Sequence, residues 1–249
     1  MPNTSWNQSS RWYNSLVGKE GHHYHQTVIF PRLLPLLKLT EHSSLLDIGC
    51  GQGILAQQLP KGVEYVGIDT AAKLIEIARK QDRDHHHSYL VKDASHTLPF
   101  STQTFTHAVA MLSLQNMEFP EKVIANVAKC LKPRGTLTLV LNHPAFRIPR
   151  QSGWGETDNK IQYRYVNRYL SPLKIPITMH PGQRQSDLTW SFHQPLSAFT
   201  KMLFDNGFVI EQLEELTSDK ESQGKSAKQE NRARAEIPLF MIIKARLDS

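Results

Sequence analysis

The chain has only two cysteines in 249 residues, Cys50 and Cys130. One sits among glycines and the other in a helical stretch, which excludes a disulfide framework. No window approaches the roughly 18 consecutive apolar residues of a spanning helix. The opening residues, MPNTSWNQSSRWYNS, lack the apolar run of a signal peptide, so a cytoplasmic protein with no membrane partner is expected. Histidine is plentiful at 12, but His22, His23, His25 and His85, His86, His87 lack zinc-ligand spacing, and no metal is expected. The last triplet reads as an exposed loop. Acidic side chains are in deficit, 23 against 29 basic, for a net charge of +6. Residues 143–190 hold Arg147, Arg150, Lys160, Arg164, Arg168, Lys174 and Arg184 against Glu156, Asp158 and Asp187, so most of the excess lies in one segment.

What is present is ordinary for a globular protein: 39% hydrophobic and 21% charged residues. The length suits one large α/β domain, alone or with a small cap. Residues 1–42 carry helix-like spacing at Trp6, Trp12, Tyr13, Leu16 and Val17, then a second helix expected to break near Pro31 and Pro35. From residue 45 strands and helices alternate. Strands are expected at Leu45–Ile48, Val63–Ile68, Tyr89–Val91, Thr106–Met111 and Thr136–Leu141. Helices are expected from Ile54–Leu59, at Ala71–Lys80 and at Lys122–Leu131, the last stopped by Pro133 and Gly135. The rhythm breaks for about fifty residues, then returns with a helix at Pro195–Asn206, a Gly207 cap and strands near Phe208–Leu213 and Leu239–Lys244. The polar stretch 217–236 reads as loop or exposed helix. Such alternation implies a parallel sheet covered on both faces.

The chemistry concentrates in LLDIGCGQG, residues 45–53. A buried strand runs into Gly49, Gly51 and Gly53, where missing side chains let the backbone turn sharply and approach a ligand. The spacing is G-x-G-x-G, not the G-x-G-x-x-G of dinucleotide sites. Asp47 stands two residues before the first glycine, where it would repel a pyrophosphate and suit a cationic amine. Asp69 ends the second strand 22 residues later, placed to accept from both hydroxyls of a ribose. Asp93 and Ala94 follow the third strand and can meet the amine and ring edge of an adenine. FTHAVAMLSLQNM, residues 105–117, opens at Met111 into a loop beside the reacting centre.

These blocks, with LKPRGTLTLVLN at 131–142, resemble the motif series of class I S-adenosylmethionine-dependent methyltransferases, most nearly the small type 11 methyltransferase domain. The resemblance covers residues 45–142 and, more weakly, 195–244. It implies a doubly wound, mostly parallel seven-stranded sheet of order 3-2-1-4-5-7-6 with helices on both faces. The cofactor implied is S-adenosylmethionine, leaving as S-adenosylhomocysteine. Asp47, Gly49, Cys50, Gly51 and Gly53 would then line its methionine part, Asp69 and Thr70 its ribose, and Asp93 and Ala94 its adenine, with Met111 nearby. Cys50 reads as packing, not nucleophile. The amino-terminal stretch resembles family lids, with Tyr13, Tyr24 and His25 as contacts.

The implied organisation is a helical lid at 1–42, a cofactor domain at 43–142 and 191–249, and a substrate cap at 143–190 inserted after the fifth strand. His143, where that strand opens toward the ligand crevice, is a base candidate, as is His25. Arg147, Arg150 and Trp154 are substrate candidates, because guanidinium groups and aromatic faces suit an anionic, partly planar acceptor. The same mixture could stack on RNA bases. Two function classes therefore stay open: a methyltransferase acting on a small molecule, and a non-catalytic module binding a ligand or RNA. Oligomeric state and acceptor atom are not legible.

Overall fold

Short aliphatic runs bounded by glycine, serine and aspartate suit strands buried on both faces, the composition of a central parallel sheet. The computed structural model describes residues 5–8, 18, 21–178 and 188–248. In it β1 (Ser44–Ile48), β2 (Glu64–Asp69), β3 (His87–Val91), β4 (Phe105–Met111) and β5 (Leu131–Asn142) run parallel. Two antiparallel hairpins follow: β6 (Ser152–Glu156) with β7 (Gln162–Val166), then β8 (Leu173–Thr178) with β9 (Leu188–His193). The sheet is completed by β10 (Phe208–Leu216) and β11 (Phe240–Leu247), with β11 antiparallel to both its neighbours. The spatial order is β3-β2-β1-β4-β5-β11-β10. Set the hairpins aside and this is the expected 3-2-1-4-5-7-6.

Among the described residues four helices pack on the sheet, α1 (Phe30–Leu37), α2 (Ala72–Gln81), α3 (Pro120–Cys130) and α4 (Leu196–Asp205), while α5 (Ala227–Glu236) lies against β7. Alternation along each strand divides the core in two. Leu46, Ile48, Ala108 and Leu139 pack with Val123 and Val127 of α3 and Phe199 and Leu203 of α4. Leu45, Val109, Val140 and Ile242 pack on the other side with Leu33 and Leu37 of α1 and Ile75 and Ala78 of α2. None of the helices among the described residues is long and apolar enough to cross a membrane.

Several expectations are revised. No α-helix follows the glycine loop. Turns lead to a 3-10 turn at Ala56–Gln58, because Gly53 and Pro60 leave too few residues for a stable helix. Pro35 does not break α1, whose proline-depleted bonding is offset by burial of Leu33 and Leu37 and by Lys244 Nζ, which donates to Leu36 O at 2.9 Å. Strand β5 begins at Leu131, before Pro133 and Gly135, by bulging: Phe105 pairs with Leu131 but His107 pairs with Thr136. His87 is not in an exposed loop. It opens β3, with its ring buried against Asp82. The stretch 217–236 resolves into a loop and α5.

Burial also shows that residues 28–37 belong to the second core and are more than a detachable lid. Truncating Leu33, which is fully buried, should therefore destabilise the protein by about 2–5 kcal/mol. Urea denaturation of Leu33→Ala checks this; a loss under 1 kcal/mol would mean that α1 is peripheral.

Candidate functional site

The glycine loop folds over the end of β2. Gly49 N and Cys50 N both donate to Ile68 O, at 2.8 and 3.0 Å, and Gly51 N donates to Asp69 Oδ2 at 3.0 Å. All three glycines have positive φ, 71°, 56° and 79°. A Cβ on Gly49 would stand 2.5 Å from Ser113 Cβ, and one on Gly53 2.7 Å from the Tyr89 hydroxyl. Both conformation and space therefore demand glycine.

Beneath this loop lies a closed polar cluster. Asp47 is 1% exposed, and its Oδ2 accepts from the Tyr65 hydroxyl at 2.7 Å. Burial raises the Asp47 carboxyl to about 7; the Tyr65 bond opposes this, and the Asp69 charge adds to it. Burial and the neighbouring acids likewise push the Cys50 thiol well above its usual value, so it stays neutral and serves as packing against Tyr65 and Gly67. Gln52, between the second and third glycines, donates through Nε2 to Gly18 O. Its Oε1 is buried without a partner among the described residues. Tyr65, Gln52 and Ser113 were not singled out from sequence. Only Gln52, inside the G-x-G spacing, carried a signal that could have found it.

At the end of β2, half-buried Asp69 accepts Gly51 N at Oδ2 and Ala71 N at Oδ1, 2.8 Å away. Burial raises its carboxyl, partly offset by backbone N–H groups of Ala71, Gly51 and Thr70. Each oxygen keeps a second lone pair for a ligand hydroxyl. Thr70 beside it is half-buried. After β3, Asp93 Oδ1 closes its own turn through Ser95 N and Oγ, at 2.9 and 2.7 Å, while Oδ2 lies 3.3 Å from His96. Ala94 is buried behind it. Met111 is half-buried at the end of β4. The next residue, Leu112, is held at φ 53°, a costly conformation of the kind that collects at functional loops.

The amino-terminal residues close the same edge. Tyr24 lies edge-on to Phe240, with its hydroxyl 3.2 Å from Ser218 Oγ, and His23 meets Asp219 at 3.0 Å. Tyr13 lies outside the described residues, as do Trp12, Leu16, Val17, Arg184 and Asp187. His25 is unsuited to act as a base. Burial and His22 lower it to about 4, and its Nδ1 already accepts His22 N at 3.0 Å. His143 is likewise removed from that role. Its Nδ1 accepts Ala145 N and Phe146 N, so the proton sits on Nε2 and is donated to Glu215 Oε1 at 2.7 Å. With no free lone pair, the ring anchors the turn that enters the cap.

In the cap, Arg164 donates to Phe146 O and Ser152 Oγ and lies over the half-exposed Trp154 ring at 5.2 Å. Arg150 is exposed. Arg147 is half-buried, near Tyr24 and Arg164, and has no acidic partner among the described residues. Burial lowers its guanidinium below the usual value. A cleft at the carboxyl ends of β4 and β5 is lined by Gln115, Asn142, Arg147, Ser191, His193 and Phe199, among others. At the opposite edge, exposed Asp84 and His85 and half-buried His86 bring one ligand atom each within 4.8 Å of one another, away from this site.

Strand order and a glycine turn at the β1 carboxyl end define a Rossmann-like fold with its topological switch between β1 and β4, the kind of crevice where such folds bind ligands. The methyltransferase domain family matches residues 46–139. The biotin biosynthesis bifunctional protein BioHC of Cellvibrio japonicus is 26% identical over 173 residues, 69% of this chain and 32% of that protein. A ubiquinone biosynthesis O-methyltransferase of Photobacterium profundum is 29% identical over 111 residues, 41% of this chain and 47% of that one. The chain thus spans a third to a half of these curated relatives. An S-adenosylmethionine-dependent methyltransferase from Mesorhizobium loti has the same fold, with TM-score 0.69, 22% identity and coverage of 87% of this chain and 96% of that one. Residues 46–139 are thus similar to class I methyltransferase domains, whose cofactor is S-adenosylmethionine. The groups present fit that cofactor: an orphaned buried Gln52 Oε1, the Asp47 and Asp69 carboxylates and a cradle with no room for Cβ atoms form a set rich in acceptors.

The raised Asp47 carboxyl has a consequence for stability. Its unfolded value is near 4, so the folded state holds the extra proton between about pH 4 and 7, and stability falls as pH rises through that window. Asp47→Asn should therefore raise stability at pH 8 by about 2–4 kcal/mol and change it little at pH 4.5. It should also weaken the cofactor, since the carboxylate is lost. Melting curves at the two pH values check the first effect; equal shifts at both would show that ionisation is not its source.

Proposed function

We propose that this protein transfers the methyl group of S-adenosylmethionine to a small, negatively charged acceptor. The observation that carries the reading is the clamp of Asp69 on Gly51 N and Ala71 N, which fixes a ribose-accepting carboxylate against a glycine cradle. When bound, S-adenosylmethionine supplies a methyl carbon already activated by its cationic sulfur. Asp69 would hold the ribose, Asp93 and Ala94 the adenine, and Gln52 and Asp47 the methionyl amine. Orientation of this kind can supply about 7–11 kcal/mol of barrier reduction, and Tyr24 with the 217–220 loop helps exclude water.

Residues 143–190 would form the cap that selects the acceptor. Arg147 supports an anionic one, because a half-buried guanidinium with no acidic partner among the described residues is satisfied by a ligand carboxylate or phosphate. RNA is less well supported, since Arg164 and Trp154 are engaged with each other inside the cap.

Calorimetry should show binding of S-adenosylmethionine and S-adenosylhomocysteine and none of NAD; NAD binding alone would overturn the reading. Asp69→Ala loses charge-assisted bonds worth about 1.5–3 kcal/mol each, so cofactor binding should weaken at least roughly tenfold. An unchanged dissociation constant would remove Asp69 from the ribose. Methyl-labelled cofactor incubated with a small-molecule cell extract should label an anionic product. With that acceptor, Arg147→Ala should raise KM roughly tenfold or more and leave cofactor affinity unchanged. A KM equal to that of the unmodified protein would show that Arg147 does not bind the acceptor.

A further inference from the structure

We infer that His193, at the end of β9, is the general base that takes the proton of an acceptor hydroxyl, so the methyl group goes to oxygen. The inference rests on the methyl-transfer reading and adds to it both a residue and an acceptor atom.

Three facts support His193 over the histidines that the sequence suggested. Its Nε2 lies 2.7 Å from Tyr169 O. A carbonyl oxygen only accepts, so Nε2 carries the hydrogen and Nδ1 holds a bare lone pair. Nδ1 has no hydrogen-bond partner among the described residues, whereas both nitrogens of His143 are engaged. The ring is also held in place. Tyr169 is fixed at its other end by Leu196 N, which donates to the Tyr169 hydroxyl at 3.0 Å. This is the arrangement by which a backbone carbonyl sets a histidine tautomer.

Location supplies the rest. His193 is 6% exposed and lines the cleft that Gln115, Asn142 and Arg147 also line. Gln115 Nε2 donates to Leu112 O, which ties this cleft to the loop at the end of β4, and Asn142 ends β5. Neighbouring strands are about 4.8 Å apart, so an acceptor here lies beside the β1–β4 crevice. Gln115 Oε1 is buried there with no partner among the described residues. Arg147 is the other titratable side chain lining the cleft, and the Tyr169 ring packs on His193. Burial holds the imidazole below its usual value, opposed by the Tyr169 carbonyl, so it is neutral at pH 7. In the step, the hydroxyl oxygen bonds to the methyl carbon while the carbon–sulfur bond breaks, its electrons staying on sulfur. The hydroxyl proton passes to Nδ1 and then to solvent.

Two measurements test this. Nitrogen NMR of the protein labelled at histidine should show His193 as the Nε2–H tautomer, titrating below the usual histidine range. With S-adenosylhomocysteine present, 3,4-dihydroxybenzoate as a probe hydroxy acid should shift the Nδ1 signal. An Nδ1–H tautomer, or no shift with the probe, overturns the proposal. For the acceptor recovered with labelled cofactor, His193→Gln keeps a donor for Tyr169 O and should lose about 100-fold or more in kcat at pH 7. Its rate should recover as pH rises and the hydroxyl ionises unaided, with cofactor affinity unchanged. A rate within threefold of the unmodified protein overturns it. Failure of calorimetric cofactor binding would instead sink the methyl-transfer reading itself.

Discussion

The chain leaves β1 and must turn back over the end of β2 within three residues, and the rest of the site depends on that reversal. Ile68 O receives two N–H groups from the loop and Asp69 Oδ2 a third. The loop is therefore pinned to the neighbouring strand by three bonds, in a turn whose positive-φ positions are all glycine. The reversal leaves a cradle at the carboxyl edge of the sheet, and it puts a carboxylate and a buried amide oxygen around that cradle. Because the loop supplies its own closure, the absence of a following α-helix costs the site nothing in shape.

What lies under the loop sets its electrostatics. Asp47, Cys50, Tyr65 and Tyr89 form one buried cluster in which one carboxylate is bonded directly by a phenol. Burying an acid in this way is unfavourable unless a cation arrives, since a charge removed from water needs a partner. A cationic amine above the loop would therefore favour the ionised form that burial alone disfavours. Asp69 differs because backbone N–H groups hold it, so its orientation is fixed before any ligand is present.

The two hairpins between β5 and β10 turn a cofactor site into a site with two components. They bring β9 against the loop after β4 and set Arg147 and His193 around one cleft. The sheet supplies the rigid floor, and in the proposed reading the inserted segment would supply the side chains that choose the acceptor, the usual division of labour between scaffold and loop. Hydrogen-bond accounting separates the histidines: His143 has spent both nitrogens and holds the cap in place, while His193 has spent one.

The sequence by itself determined the alternation of strands and helices, the glycine loop and the acids at the strand ends, because these follow from local periodicity and from residue types that backbone geometry demands. Asp47 and Asp69 were legible for that reason, whereas the strand order was implied only by the resemblance to a known family. Tertiary structure decided what no local pattern encodes. Tyr65 meets Asp47 only because β1 and β2 are neighbours, so nothing in its own surroundings marks it. His143 looked like a base because it follows a strand end, yet Glu215, 72 residues away, accepts the hydrogen bond from its Nε2–H. The short run after Gly53 reads as helical in hydrophobicity but is too short to bond as a helix between Gly53 and Pro60. Pro35 reads as a breaker, but burial of Leu33 and Leu37 outweighs one missing hydrogen bond. His193 lay in a stretch without regular alternation, and only its contact with Tyr169 O fixes which nitrogen is bare. Local propensity sets where elements begin, while the protonation state of a side chain depends on partners that the fold brings from far along the chain.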